Sequence, residues 1–68
     1  MESRINPVAR VQHLIGTRYV ESVKPYILEM TGLKYVIGPG EIATMDMRTD
    51  RMFVEVDGAG NISRLRVG

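Results

Sequence analysis

A run of apolar and small polar residues in the second half of the chain carries the strongest indication of chemistry. It lies between two predicted strands and has the sequence Ile42-Ala43-Thr44-Met45-Asp46-Met47-Arg48. Structureless connections of about 12 residues are uncommon in small domains and are usually functional. One interpretation is a loop that folds its methionines into the core. The other is a loop that exposes them, which is favoured because the flanking strands already supply core residues. An extended apolar loop between two strands has the shape that a protease cleft binds as substrate.

Groups that could perform catalysis are few. His13 is the single histidine, and its apolar neighbours favour a surface or packing role over that of a general base. No Ser-His-Asp or Cys-His set can be assembled, and Asp46 and Asp50 lack the ligand count of a calcium loop. The Gly-Pro-Gly at 38–40 is not followed by the Gly-Lys-Ser/Thr of a phosphate loop. The sequence therefore predicts no catalytic residue, no metal and no cofactor, and a protein that is not an enzyme.

Length and composition restrict the remaining classes. The chain has 68 residues, 44% of them hydrophobic and none of them cysteine, which predicts one small, disulfide-free domain held together by packing. Nine basic residues against eight acidic ones argue against a nucleic-acid or membrane-surface partner. No signal peptide or transmembrane segment is recognisable. We expect a monomer that is either cytosolic or the mature form of a secreted protein.

One amphipathic helix is predicted over about 17–30, preceded by an irregular tail over 1–11. Apolar residues recur at spacings of three and four, which places them on one face: Tyr19, Val23, Tyr26, Ile27 and Met30. Thr17 is the candidate N-cap, and Gly32 is free to adopt the left-handed conformation that ends a helix. Pro25 interrupts the pattern because it removes one amide donor. It therefore predicts either a kink near Glu21 or a helix that begins later.

Three short strands are predicted, over 33–37, 51–56 and 61–67. In the second, Met52, Val54 and Val56 alternate with Arg51, Phe53 and Glu55, so the two sets point to opposite faces. The segment 57–61 predicts a hairpin turn with glycines at positive φ. Ile62 is expected to face the core, joined by Leu65 or Val67, in an edge strand. The order of elements indicates an α+β fold with one helix packed on a small sheet.

At the loop, the sequence resembles the potato inhibitor I family of serine-protease inhibitors. The matching run extends from Pro39 to Asp57 and resumes at Arg66-Val67-Gly68, and Leu14-Ile15-Gly16 resembles the segment that leads into the family's helix. The resemblance covers about residues 13–68 and implies a single inhibitor domain over 12–68. It also implies that the reactive loop, about 38–50, joins two parallel strands of a mixed sheet.

The resemblance further implies a substrate-like inhibitor whose reactive bond is Met45-Asp46. Met45 would fill the primary specificity pocket of the protease. The other loop residues expected to contact the enzyme are Ile42, Ala43, Thr44, Met47 and Arg48. Because methionine is unbranched and apolar, the expected partners are subtilisin-, chymotrypsin- or elastase-like serine proteases, and trypsin is disfavoured.

Residues below the loop are expected to keep it rigid. Arg51 matches a basic residue with this role in the family, and Arg51 or Arg48 could pair with Asp46 in a charge-assisted contact. Phe53 stands where the family often has a second arginine, and Gly68 is expected to reach the same cluster. The competing hypothesis is a non-inhibitory interaction module on the same scaffold. Phe53 and Pro25 are the two features that favour it.

Overall fold

The structure is a computed structural model that describes residues 6–46 and 49–68. Two α-helices precede a three-stranded sheet. Their bounds are α1, Pro7–Val11; a 3₁₀ turn, Gln12–Leu14; α2, Val23–Thr31; β1, Tyr35–Ile37; β2, Arg51–Val56; and β3, Ile62–Val67. The α+β fold class predicted from the sequence is confirmed.

The prediction of an irregular tail over 1–11 is wrong for residues 7–11, which form α1. Asn6 caps this helix with its Oδ1, which accepts the amide of Val8 at 2.8 Å, and Pro7 occupies the first turn. Proline is well tolerated there because its missing donor would have no intrahelical partner. Val11 is completely buried, so this short helix belongs to the core. The remainder of the predicted tail, residues 1–5, lies outside the described residues.

Helix α2 begins at Val23, later than the predicted 17, and Pro25 stands in its first turn. The later start was one of the two outcomes that Pro25 predicted, because a proline in the first turn forfeits no internal hydrogen bond. Thr17 is not its N-cap, since its hydroxyl donates to the backbone oxygen of Leu14 at 2.6 Å. The predicted end is confirmed: Gly32 has φ of 75°.

Only part of the predicted apolar face of α2 is buried. Val23 and Ile27 enter the core, whereas Tyr26 and Met30 remain partly exposed. Tyr19 precedes the helix and packs half-buried against the core. The core lies between α1, α2 and one face of the sheet, and its buried members are Val11, Val23, Ile27, Met52, Val54, Ile62 and Leu65.

The sheet has the order β1-β2-β3, with β1 parallel and β3 antiparallel to β2. The parallel pair requires a long connection, and residues 38–50 provide it. Strand β2 has the predicted bounds, and β3 is the predicted edge strand. Both Ile62 and Leu65 are buried although they would alternate in a regular strand, because the register shifts beside Glu55 and Val56. Such an irregularity moves later side chains to the other face.

Candidate functional site

The connection between β1 and β2 presents two large apolar side chains to solvent. Ile42 and Met45 are each 97% exposed. Ala43 is half-buried, while Thr44 and Asp46 are exposed, and no helix or strand includes residues 41–46. A large apolar side chain with so little burial contributes nothing to the fold, so it is available for contact with another molecule. The loop therefore does not fold Met45 into the core.

Arg51, the first residue of β2, lies beneath this loop and is 6% exposed. Its Nη2 donates to the backbone oxygens of Thr44 at 3.2 Å and Asp46 at 3.1 Å. Its Nη1 donates to the Thr44 hydroxyl at 3.1 Å. One guanidinium thus binds the residue before Met45 and the residue after it. A guanidinium has five donors in a fixed planar fork, so it can hold these two oxygens and the Thr44 hydroxyl while its Nε stays available for another partner.

The side chains of Thr44 and Asp46 contact each other and the guanidinium of Arg51. The Thr44 hydroxyl donates to the carboxylate of Asp46, and Nη1 of Arg51 lies 3.8 Å from that carboxylate. Contacts to charged groups are stronger than contacts between neutral ones. The backbone on both sides of Met45 is therefore held by side chains as well as by the chain itself.

Gly68 holds Arg51 from the opposite side. Nε of Arg51 donates to the backbone oxygen of Gly68 at 2.7 Å, and the amide of Gly68 donates to the backbone oxygen of Arg51 at 3.2 Å. This pair of contacts places Gly68 in the cluster with Arg51. A buried guanidinium needs partners for its donors, and Gly68 accepts the Nε donor.

The ring of Phe53 is in contact with two cations. The guanidinium carbon of Arg51 lies 5.2 Å from the ring centroid, and that of Arg66 lies 4.2 Å from it. Arg66 also pairs with Glu55, at 3.3 Å between Nε and Oε2. The sequence placed Arg66 in the matching run but gave it no role at the site. The pairing of β2 with β3, which sets Arg66 directly opposite Phe53, is the signal that could have found it.

An ion pair between Lys24 of α2 and Glu41 connects the start of the loop to the helix. Nζ of Lys24 donates to Oε2 of Glu41, and Oε1 of Glu41 accepts the amide of Gly38 at 2.8 Å. The bond from Lys24 holds the pKa of the Glu41 carboxyl below its usual range, and the Gly38 amide acts in the same direction. The reciprocal bond raises the pKa of Lys24. Neither residue was singled out from the sequence.

The remaining sequence candidates lie apart from this site or outside the described residues. Met47 and Arg48, predicted to contact the protease, are not among the described residues. His13 lies at the surface with Nε2 2.7 Å from the Tyr26 hydroxyl, far along the chain from the loop. Within 6–46 and 49–68, no three His, Cys, Asp or Glu side chains are grouped so that they could hold a metal ion.

Helices of membrane-spanning length and apolarity are absent from the described part of the chain. Residues 7–68 match the sequence model of the peptidase inhibitor I78 family. The search of curated proteins gave no match to the chain. The matched segment includes both helices, the sheet, the loop and Arg51, which is nearly the whole sequence.

Proposed function

This chain belongs to the peptidase inhibitor I78 family, and we propose that it inhibits a serine protease by presenting the Met45-Asp46 bond as a substrate. The family is a protease-inhibitor family, as the sequence resemblance implied, but it is I78 and not potato inhibitor I. The observation that carries the proposal is the placement of Met45. Its side chain is 97% exposed, and both of its neighbours are bound to Arg51.

In the proposed mechanism, the loop binds the protease tightly because its backbone is already rigid before binding. A free peptide loses conformational entropy when it is fixed in a protease cleft, whereas a loop already held in one shape loses little. Arg51 fixes the backbone at Thr44 and Asp46, so Met45 enters the primary specificity pocket with its neighbours already positioned. Ile42 and Ala43 lie along the cleft on the side before the bond. Met47 and Arg48 are proposed to lie on the other side.

The same contacts explain why cleavage would not end inhibition. When the protease serine attacks the Met45 carbonyl, the Met45-Asp46 bond breaks, the Asp46 nitrogen takes a proton, and an ester to the serine forms. The Asp46 segment stays bound to Arg51 through its backbone oxygen and its carboxylate, close to that ester. Effective concentrations of about 10⁵–10⁸ M are reached by well-oriented groups. The amine therefore attacks the ester and remakes the bond faster than the segments separate.

The exposed side chain at position 45 sets the class of protease. Methionine has a long apolar side chain that suits the hydrophobic pockets of subtilisin-, chymotrypsin- or elastase-like enzymes. A pocket with a buried carboxylate, as in trypsin, needs a cation that Met45 cannot provide. We propose a partner of the first kind and a monomeric inhibitor.

The two features that favoured a non-inhibitory module are both compatible with the proposed inhibitor. Pro25 stands in the first turn of α2, where it costs no internal hydrogen bond. Phe53 packs against the guanidinium groups of Arg51 and Arg66, and Arg51 itself bonds to the loop. The protease titration described below separates this alternative from the proposed inhibitor.

The direct test is titration of subtilisin, chymotrypsin, pancreatic elastase and trypsin with the protein, each mixture being followed by mass spectrometry. We expect stoichiometric loss of activity for at least one of the first three and any cut confined to Met45-Asp46. Met45→Ala should weaken this inhibition strongly, whereas Met30→Ala, which alters a partly exposed methionine of α2, should not. Complete digestion, or full activity of all four enzymes, would overturn the proposal.

A further inference from the structure

The loop begins in a closed turn that uses the side chain of Glu41 as well as the backbone. The amide of Glu41 donates to the backbone oxygen of Gly38 at 3.1 Å, and Oε1 of Glu41 accepts the Gly38 amide at 2.8 Å. Gly40, inside the turn, has φ of 79°, a conformation that glycine adopts without strain. The polypeptide therefore reverses direction immediately before Ile42 in a turn with two internal bonds.

Lys24 joins this turn to α2. Its ammonium donates to the second carboxylate oxygen of Glu41 and lies 3.3 Å from Oε1 of Glu21. The Tyr19 hydroxyl donates to the other carboxylate oxygen of Glu21 at 3.1 Å. Four side chains from the segment before α2, from α2 and from the loop thus form one connected cluster.

The backbone at Gly38 passes close to this cluster. A side chain carbon added to Gly38 would lie 2.7 Å from the Tyr19 hydroxyl and 3.1 Å from Cε of Lys24. Gly38 is buried, so the start of the loop lies against the Tyr19 and Lys24 side chains. The turn is therefore held both by packing against Tyr19 and Lys24 and by the Lys24-Glu41 ion pair.

We propose that Lys24 and Glu41 are positioning residues that hold the segment before the reactive bond in its protease-binding shape, an inference that rests on the proposed function. Among the described residues of the loop, Arg51 bonds to Thr44 and Asp46, and no bond from it to the backbone of residues 41–43 is present. The Lys24-Glu41 pair supplies the second attachment, so the residues before Met45 are held at both ends. Without the pair, the loop would be anchored at one end and would bind the protease as a more flexible peptide.

The experiment compares Lys24→Met and Glu41→Gln with matched controls elsewhere in the chain. Lys34→Met removes the other lysine, which is exposed, and Glu29→Gln removes an exposed carboxylate of α2. A charge-reversed double variant, Lys24→Glu with Glu41→Lys, tests whether pairing itself matters. For each protein the rate of cleavage at Met45-Asp46, the inhibition constant, the melting temperature and amide exchange at Gly38 are measured.

We expect Lys24→Met and Glu41→Gln to be cleaved about fivefold faster than the wild type, the size of effect for a partly exposed ion pair. Gly38 should exchange faster in Lys24→Met, and the melting temperature should change little. The double variant should recover only part of the inhibition, because a lysine at position 41 cannot accept the Gly38 amide and a glutamate at position 24 lies beside Glu21. The two controls should match the wild type. A structural role alone would lower the melting temperature without changing cleavage at equal folded fraction.

Two results would overturn the inference alone, and a third would overturn it together with the proposed function. Unchanged Gly38 exchange in Lys24→Met would mean that the pair does not anchor the turn, and faster exchange with unchanged cleavage would mean that the anchor does not position the reactive bond. If the wild type inhibits none of the four proteases, the proposed function fails, and the positioning role fails with it. Gly38 exchange still reports whether the anchor exists, so the two failures are distinguishable.

Discussion

The guanidinium of Arg51 donates to the backbone oxygen of Asp46 at 3.1 Å, from below a loop that carries the 97% exposed side chain of Met45. The same nitrogen donates to the backbone oxygen of Thr44. Arg51 therefore connects the two segments that hydrolysis of Met45-Asp46 would create. This arrangement is the basis of the proposed mechanism, because it keeps both ends near the protease after a cut.

Replacing Met45 should change which protease is inhibited. Met45→Lys places a cation at the tip of the loop, so we expect gained inhibition of trypsin and weakened inhibition of chymotrypsin-like enzymes. Because the side chain is 97% exposed, the free energy of unfolding should change by less than about 0.5 kcal/mol. Inhibition constants against both enzymes provide the measurement. An unchanged preference would show that Met45 does not enter the specificity pocket.

Removing the Arg51 guanidinium should turn the protein into a better substrate. Arg51→Ala loses its bonds to Thr44, Asp46 and Gly68, so cleavage should accelerate by tenfold or more, roughly the effect of losing one charge-assisted hydrogen bond. Stability should fall by about 1–3 kcal/mol, since buried partners are left unpaired. Arg64→Ala, which alters an exposed arginine of β3, is the control.

Cleavage rates of the wild type, Arg51→Ala and Arg64→Ala are measured under conditions where all three proteins remain folded. Arg51→Lys should fall between the wild type and Arg51→Ala, because it keeps the charge but not the planar fork. Equal cleavage of Arg51→Ala and the wild type would remove Arg51 from the mechanism.

Phe53 and Arg66 should be coupled energetically. A double-mutant cycle with Phe53→Leu and Arg66→Met removes the ring and the cation separately while keeping apolar volume. For a cation over an aromatic face near the surface we expect a coupling of about 0.5–1 kcal/mol in the free energy of unfolding. Urea denaturation of the four proteins measures it. Strict additivity would mean that the 4.2 Å contact contributes no specific stabilisation.

The Glu41 anchor should depend on pH with a defined sign. The pKa of Glu41 is lowered in the folded protein, chiefly by Lys24 and also by the Gly38 amide, so its contribution is complete above the ordinary value of 4.5. It is lost as the pH falls through the lowered pKa. The pKa of Lys24 is raised, so its contribution is complete below its ordinary value and is lost only in strong alkali.

The neighbouring titratable groups Glu21 and Tyr19 stay present in every protein of the comparison. The difference in urea midpoint between the wild type and Glu41→Gln should therefore be small, largest near neutral pH, and should shrink on acidification below 4.5. Denaturation curves at several pH values provide the measurement. A constant difference across the acidic range would contradict the assignment of Glu41 as the titrating anchor.

Local patterns predicted the parts of the fold that local chemistry determines. Strict alternation gave β2 its observed bounds, and Gly32 ended α2 as expected. Helix α1 was missed because five residues are too few to display a helical period, and its stability depends on burial of Val11. The orientation of Leu65 could not be settled because a register shift changes the face without any signature in the composition.

The parts of the site that lie in one continuous segment could be predicted from the sequence, and the parts that depend on distant elements could not. The loop, Met45 and the orientation of Arg51 follow from contiguous residues together with the family resemblance. Arg66 and the Lys24-Glu41 pair depend on contacts between distant elements, which periodicity cannot supply. The parallel pairing of β1 and β2 came from the resemblance alone and is confirmed by the register.

The central claim is that the folded protein holds both ends of a cut Met45-Asp46 bond. The most direct test is to measure whether the protease re-forms this bond in the cleaved protein. Protein cleaved only at Met45-Asp46 is incubated with a catalytic amount of the inhibited protease, and intact chain is detected by mass spectrometry as the loss of one water. We predict that a substantial intact fraction re-forms in the wild type and far less in Arg51→Ala. Cleaved wild-type chain that stays cleaved, or separates into fragments, would contradict the account.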